Sequence, residues 1–126
     1  MSAGRYDIMI EQGATFTLPI SYKDSSDAVI NLATTTNNNP DYTARMKIKE
    51  SAGGTIIASS ESSDAPKNTL SIALAASGNN ITVTMSATNT AALDFETAIY
   101  DLELVSGASV DRIIEGRVKL SREVTS

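Results

Sequence analysis

The nine residues YTARMKIKE, at positions 42–50, decide the fold class of this chain. Apolar and polar side chains alternate along them, with Met46 and Ile48 on one face and their neighbours on the other. Alternation with a period of two residues is typical of a strand that buries one face in a core. The polar face carries a basic row made of Arg45, Lys47 and Lys49. We therefore predict a half-buried β-strand over 42–50.

This strand begins a predicted hairpin, because the turn sequence Ser-Ala-Gly-Gly at 51–54 precedes an apolar return over 55–59. A second hairpin is predicted from two alternating segments, 69–75 and 81–85, joined by the turn at 77–80. Alternating or strand-like segments also occur elsewhere in the chain, at 6–12, 15–21, 28–32, 98–105 and 110–120.

Three single residues refine these strand predictions. Pro19 has no backbone N–H to give to a ladder, which predicts an edge strand or a bulge at 15–21. Gly116 lies within 110–120, where a glycine indicates a bulge or a close backbone approach. Ser86 is a helix N-cap candidate, and the residues after it predict one short helix around Thr88 to Leu93.

Together these segments predict an all-β fold, an Ig-like antiparallel β-sandwich of eight or nine strands with one short helix. The length predicts a single β-sandwich domain over residues 1–126. The predicted core consists of the in-phase apolar residues Ile8, Ile10, Phe16, Leu18, Met46, Ile48, Leu70, Ile72, Ile81, Val83, Leu102, Leu104, Ile114 and Val118.

Composition excludes several kinds of site. The chain has no Cys and no His, so it has no disulfide, no thiolate or imidazole metal site and no Ser-His-Asp triad. The net charge of −5, from 10 basic and 15 acidic residues, argues against nonspecific nucleic-acid binding. No apolar run approaches the roughly 20 residues that cross a bilayer, and the first residues lack the apolar stretch of a secretory signal. We expect neither a nucleic-acid nor a membrane partner.

Four acidic residues fall close together near one strand: Asp94, Glu96, Asp101 and Glu103. Carboxylates bind calcium, and a carboxylate pair can act as general acid and base. The sequence contains no Asp-x-Asp-x-Asp-Gly loop, however, and nothing places a pair in a pocket. Cross-strand pairing with basic residues of 110–120 explains the cluster as an ordinary exposed sheet face. We predict no catalytic residue, no metal site and no cofactor.

The basic row on 42–50 and the tyrosines can each be interpreted in two ways. The basic row on 42–50 is either a surface for an anionic partner or an exposed face whose charge discourages pairing by other strands. Tyr6, Tyr42 and Tyr100 are in phase with aliphatic residues. That phase predicts core or core-rim positions, with the hydroxyl groups reaching a hydrogen-bond partner at the edge, rather than a sugar-binding platform.

Three stretches resemble small tail- and baseplate-associated β-sandwich proteins of tailed bacteriophages. They are IEQGATF at 10–16, YTARMKI at 42–48, and YDLEL at 100–104 followed by GRVKLSREVT at 116–125. The segment order is similar in layout to the N-terminal domain of baseplate upper proteins. The resemblance implies a noncatalytic structural or adaptor protein of a tail, baseplate or neck, without a cofactor. The run at Thr34 to Asn39 departs from the shorter loop expected there.

The partners that follow from this resemblance are other virion proteins, in a particle assembled in the host bacterial cytoplasm. We expect repeated copies in a symmetric assembly, since heterologous contacts between identical domains close into rings. The expected docking edge is the terminal strand, 110–121, with three basic residues, Arg117, Lys119 and Arg122. The alternatives are a capsid decoration protein and a carbohydrate- or host-surface-binding module that uses loop Tyr and Asn residues.

Overall fold

The computed structural model describes residues 4–122, and strands dominate it. In chain order these strands are β1 (Gly4–Arg5), β2 (Ile8–Glu11), β3 (Phe16–Ile20), β4 (Thr35–Thr36), β5 (Asn39–Pro40), β6 (Thr43–Lys49), β7 (Ile56–Ser59), β8 (Ser71–Leu74), β9 (Ile81–Met85), β10 (Thr97–Ser106) and β11 (Ser109–Ser121). A short 3-10 helix covers Ser62–Asp64, and helix α1 covers Ala87–Ala91. The predicted all-β class is confirmed.

Two sheets carry the fold. The larger sheet has the order β1/β2, β11, β10, β6, β7, in which β1 and β2 both pair with β11. The smaller sheet has the order β3, β9, β8, and β4 with β5 forms a separate small hairpin. One hydrophobic cluster contains buried residues from both sheets. The chain is therefore β-sandwich-like in character.

The predicted core is largely correct. Twelve of the fourteen predicted core residues are buried, and the other two, Ile72 and Ile114, are half-buried against the cluster. Tyr100 is buried in the cluster, which confirms its predicted core or core-rim position. The cluster also contains residues outside the predicted core: Leu32, Ala58, Met85, Leu93, Phe95, Ala98 and Leu120.

Several local predictions are confirmed, whereas the segment at 28–32, predicted as strand-like, forms only an isolated bridge from Val29 to Lys23. β6 with β7 and β8 with β9 are antiparallel pairs, as the two predicted hairpins require. β3, which contains Pro19, lies at an edge of the smaller sheet. The side chain of Ser86 caps helix α1, because its Oγ accepts a hydrogen bond from the Asn89 N–H at 3.2 Å. The helix begins one residue before the predicted start at Thr88.

Uninterrupted alternation over 110–120 would place Val110 and Arg112 on the same face as Ile114 and Val118, and a β-bulge at Ile113 changes this. The register of β10 with β11 passes from the Leu102–Ile114 pair to the Glu103–Arg112 pair, so Ile113 has no partner on β10. An extra residue reverses which face the following side chains occupy. Val110 and Arg112 therefore lie on the outer face, both exposed, instead of in phase with the buried Val118.

The N-terminal strand corrects the expectation that β11 is a free edge. β1 and β2 run parallel to β11, with Gly4 opposite Ile114 and Ile8 opposite Val118. β11 therefore has β10 on one side and β1/β2 along 114–115 and 118–121 on the other. The backbone of that stretch is already paired and offers no edge for docking.

The strand pairing with β11 is interrupted at Tyr6 and Asp7, between β1 and β2. The Tyr6 carbonyl accepts a hydrogen bond from the buried Tyr100 hydroxyl, and Asp7 Oδ1 accepts one from the Arg117 N–H at 2.9 Å. A side chain on Gly116 would collide with the Tyr6 backbone, which confirms a close backbone approach at this glycine. The Tyr6 side chain is 53% exposed, so its predicted core or core-rim position is wrong. Burial raises the pKa of Tyr100, which keeps its hydroxyl a donor.

A buried asparagine attaches the loop before β4 to the smaller sheet. Asn80 is fully buried, and its Oδ1 accepts a hydrogen bond from the Tyr22 N–H at 2.7 Å. Its Nδ2 donates to the Tyr22 carbonyl at 2.8 Å and to the Ile30 carbonyl at 2.7 Å. This single side chain makes hydrogen bonds to three backbone groups of the loop, in addition to the backbone bonds from the Ile30 N–H to Tyr22 and from the Leu32 N–H to Ala75.

Candidate docking face

Seven of the chain's 10 basic residues lie on the outer face of the larger sheet, which we call the basic face. They are Arg5, Arg45, Lys47, Lys49, Arg112, Arg117 and Lys119. The strand residues on the same face include four acidic ones: Glu11, Asp101, Glu103 and Glu115. Two further acidic residues outside the strands contact this face, Asp7 at Arg5 and Asp64 at Lys47. The larger sheet therefore gathers most of the basic residues of the chain on one face, although the net charge of the chain is −5.

Most charges on the basic face are paired. Arg45 Nε lies 2.6 Å from Glu103 Oε1, and Lys47 Nζ lies 3.2 Å from Asp64 Oδ2 in the 3-10 helix. The Arg45–Glu103 pair joins directly opposed residues of β6 and β10. The acidic cluster was predicted to pair with basic residues of 110–120, but Glu103 pairs with Arg45 of β6 instead.

Arg112 holds together two carboxylates that oppose each other. Asp101 and Glu115 are register partners on β10 and β11, an arrangement that is destabilising for like charges. Arg112 Nε lies 3.4 Å from Asp101, and its Nη1 lies 3.2 Å from Glu115. Burial raises the pKa of Asp101, Arg112 opposes that shift, and the neighbouring Glu103 and Glu115 add to it. The Arg112 guanidinium is therefore already paired with carboxylates of the sheet.

One row of laterally adjacent residues, across three neighbouring strands of the larger sheet, contains two basic residues and no acidic one. Lys49 of β6 and Arg117 of β11 are both register partners of Ile99 on β10, and we call these three residues the Ile99 row. Among residues 4–122, neither the Lys49 nor the Arg117 side chain lies within 4.0 Å of a carboxylate. Ile99 is half-buried between them. The row is a positively charged strip with an apolar centre.

A depression of about 540 Å³ covers the Ile99 row. Ala52 and Gly53, in the turn between β6 and β7, form part of its lining, and Arg5 of β1 lines it as well. The acidic residues that line it, Asp101 and Glu115, are the two that Arg112 contacts. An anion entering the depression would meet Lys49 and Arg117 without having to displace an ion pair.

The structure separates the three predicted docking residues. Arg117 belongs to the Ile99 row, whereas Lys119 lies one row further along β11, opposite Thr97 on one side and Met9 on the other. Arg122 Nη2 contacts Asp94 Oδ1 at 3.1 Å, beyond the end of β11. Sequence reasoning had recognised Lys49 only as part of a basic strand. Its proximity to Arg117 depends on β10 lying between them, which no local pattern indicates.

The acidic residues considered for calcium are dispersed among ion pairs. Asp101 and Glu103 contact arginines across the sheet, and Asp94 contacts Arg122. Within residues 4–122, no three acidic side chains come close enough to hold a metal ion together. In the same part of the chain, no helix has the length and apolarity needed to span a membrane.

A second depression, of about 520 Å³, lies at the end of the molecule near the turn between β10 and β11. Thr36, Asn39, Asp41 and Tyr42 are among the residues that line it. Thr36 Oγ1 donates a hydrogen bond to Asp41 Oδ1 at 2.6 Å. Tyr42 is half-buried, and burial together with Asp111 and Tyr42 raises the pKa of nearby Tyr22. This end combines polar and aromatic groups of the kind expected for the carbohydrate-binding alternative.

Asp64 gives a testable pH dependence next to the basic face. The Ser59 hydroxyl donates to Asp64 Oδ2 at 2.6 Å and lowers the Asp64 pKa, and Lys47 lowers it further. The ionised Asp64 carboxylate contributes its full stabilisation at a pH above its unfolded-state pKa, which is about 3.9. This stabilisation is lost as the pH falls through the lower folded-state pKa. In urea titrations, Asp64→Asn should therefore destabilise the protein at neutral pH, and this difference should shrink in acid.

A second variant separates this linkage from simple loss of packing. In a Ser59→Ala background, the Asp64→Asn difference should lose most of its pH dependence, because the main cause of the lowered pKa is gone. An Asp64→Asn effect of equal size at neutral and acid pH would contradict the assignment.

No protein-family model matches this chain, and no curated protein is detectably similar to it.

Proposed function

We propose that this chain is a noncatalytic structural or adaptor protein of a tailed-phage virion, in a tail, baseplate or neck, and that it docks on a neighbouring protein through the basic face. The observation that carries the proposal is the Ile99 row, in which Lys49 and Arg117 have no anionic partner among residues 4–122. Neighbouring cations of the same face, Arg45 and Arg112, are paired within the sheet. A partner surface with anionic groups would form the corresponding ion pairs with Lys49 and Arg117.

Charge complementarity of this kind acts mainly on orientation and association rate. The net charge of −5 opposes weak self-association in solution, while the basic face attracts an acidic surface. The resemblance of 10–16, 42–48 and 100–125 to phage tail and baseplate proteins supports placing that surface in a virion. Repeated copies in a symmetric assembly, built in the host cytoplasm, belong to the same proposal.

The strand order supports the finer fold assignment that belongs to this proposal, an Ig-like sandwich. Immunoglobulin domains place strands B, E and D in one sheet and strands C, F and G in the other. Assigning β3, β9 and β8 to the first set and β6, β10 and β11 to the second reproduces both orders. Eight strands within residues 4–122 have four or more residues. An experimental structure with β8 and β9 in the same sheet as β10 would contradict the assignment.

Charge reversal in the phage tests the function. In Lys49→Glu/Arg117→Glu, the Ile99 row becomes acidic and should repel the partner surface, so we expect the copy number in purified virions to fall at least about tenfold. The matched control is Lys23→Glu/Lys67→Glu, which makes the same change of charge on exposed loop residues away from the Ile99 row. Quantitative mass spectrometry of virions measures the copy number of both variants.

Each outcome of this measurement bears on the proposal. Normal incorporation of the Lys49→Glu/Arg117→Glu protein would refute docking through the basic face. Absence of the wild-type chain from virions would refute the virion role. A copy number of hundreds per particle would favour capsid decoration over a tail component.

The polar depression at the end of the molecule supports one second candidate, a carbohydrate- or host-surface-binding role. Tyr42 and Asn39 border this depression and belong to the residue types that the alternative requires. Binding on a glycan array that is lost in Tyr42→Ala would favour this candidate over docking.

A further inference from the structure

We infer that the basic face takes an acidic segment of a partner protein, in which two carboxylates flank an apolar side chain. This inference rests on the proposed function and names the chemistry of the partner. The Ile99 row is its basis, because a charged, an apolar and a charged side chain follow one another across three adjacent strands.

Strand spacing sets the size of the segment that fits. Neighbouring strands lie about 4.8 Å apart, so the backbones of Lys49 and Arg117 are separated by about 10 Å across β10. An extended peptide advances about 3.3 Å per residue and points alternate side chains the same way. Carboxylates four positions apart, with an apolar residue between them, can therefore reach both cations while the apolar side chain covers Ile99.

The row next to the Ile99 row has its charges already engaged. It contains Lys47, Asp101 and Glu115, and its two carboxylates face the same depression. Arg112 contacts both carboxylates, and Lys47 contacts Asp64. Within the depression, Lys49 and Arg117 are therefore the cations that a partner carboxylate reaches without displacing an ion pair among residues 4–122.

The small number of available cations favours a short acidic peptide over a nucleic acid. A nucleic acid presents a continuous series of phosphates, and binding grows with the number of phosphates that basic groups neutralise. Within residues 4–122, three cations of the basic face, Lys49, Arg117 and Lys119, have no ion pair, on a chain with a net charge of −5. The Arg117 guanidinium, in addition, matches a carboxylate with two parallel hydrogen bonds.

The test is a titration of the ¹⁵N-labelled full chain followed by NMR. The probe is an extended peptide of about seven residues, with glutamates at its second and sixth positions and leucine at its fourth. We expect shifts of the amide signals of Lys49, Ile99 and Arg117. The same peptide with glutamines in place of the glutamates should bind at least about fivefold more weakly, because charge-assisted hydrogen bonds are about twice as strong as neutral ones.

Variants and a nucleic-acid probe make the result decisive. The shifts should disappear in Lys49→Gln/Arg117→Gln and persist in Lys23→Gln/Lys67→Gln, with well-dispersed spectra showing that both variants fold. Equal binding of the two peptides, or no shifts in the Ile99 row, would overturn the inference. Tighter binding of oligothymidylate at the same residues would also overturn it, in favour of a nucleic-acid partner.

The peptide result and the virion result can fail separately. If charge reversal removes the protein from virions but the acidic peptide does not bind, the docking function stands and this partner chemistry is wrong. If the peptide binds as expected but the charge-reversed protein is incorporated normally, the Ile99 row binds acidic segments and the proposed docking in the virion through the basic face is wrong.

Discussion

Replacing Asn80 with alanine is expected to lower the free energy of unfolding by about 3–5 kcal/mol, because each buried polar group left unpaired costs about 1–3 kcal/mol. The Asn80 amide group is the partner of the Tyr22 N–H, the Tyr22 carbonyl and the Ile30 carbonyl. Alanine has no donor or acceptor to replace it, although the Tyr22 carbonyl keeps the Ile30 N–H as a partner. The loop between β3 and β4 should therefore be held less firmly, through the Leu32 N–H to Ala75 hydrogen bond without the Asn80 bonds, and urea titration would detect the loss of stability.

The neighbouring residue provides a matched control. Asn79 is exposed in the turn before β9, so Asn79→Ala should change the free energy of unfolding by less than about 0.5 kcal/mol. Asn80→Asp should destabilise strongly at neutral pH, because a buried carboxylate would face two carbonyl oxygens, and less strongly in acid, where it is protonated. Similar stabilities for the Asn79→Ala and Asn80→Ala proteins would refute this role.

Gly116→Ala is expected to cost about 3 kcal/mol, the upper part of the range for overpacking a closely packed site. An added Cβ would lie 2.7 Å from the Tyr6 carbonyl carbon and 2.9 Å from Asp7 Oδ1. Backbone cannot move aside as a flexible side-chain end can, so the N-terminal strand must shift away from β11. The hydrogen bonds from the Tyr6 N–H to Glu115 and from the Arg117 N–H to Asp7 would then break.

Gly4→Ala is the matched control, since a Cβ there would meet only the Ile113 carbonyl oxygen at an ordinary 3.6 Å. We expect a change within about 0.5 kcal/mol. Hydrogen exchange locates the damage in Gly116→Ala: the amides of Tyr6 and Arg117 should lose protection, while those between β6 and β10 keep it. Uniform loss of protection, or stability equal to wild type, would contradict the steric argument.

Local alternation was sufficient to predict the all-β class, both hairpins, the capped helix and most of the core. Each of these features depends on residues close together in sequence. In β10, for example, Leu102 and Leu104 are buried while Asp101 and Glu103 lie on the opposite face, as the alternation predicts. Asn80, in contrast, lies in a turn by its sequence context, and its burial depends on a loop more than 50 positions earlier.

The last strand shows where such reasoning fails. Nothing in 110–120 indicates that Ile113 forms a bulge, yet the bulge decides that Val110 and Arg112 face outward. The parallel pairing with β1 and β2 is equally invisible, because its residues are more than a hundred positions apart. For that reason β11 was expected to be a free edge.

The candidate site was predictable only in part. The basic row on 42–50 and Arg117 were both recognised as basic surface residues. The sequence does not contain the register that places Ile99 between Lys49 and Arg117. It also does not show that Arg112 is occupied by two carboxylates, whereas Arg117 contacts none among the described residues. Which cation is available to a partner is a property of the assembled sheet.

The parallel pairing of the N-terminal strand with β11 has a consequence for biosynthesis. Gly4 pairs with Ile114, so the segment around Gly4 must wait during synthesis for residues 110 positions later. Until then, the apolar side chains of Ile8 and Ile10 have no place in the core. Contacts across such long sequence separations slow folding towards the millisecond-to-second range. Between the synthesis of Gly4 and that of Ile114, the nascent chain therefore carries an unpaired, aggregation-prone segment.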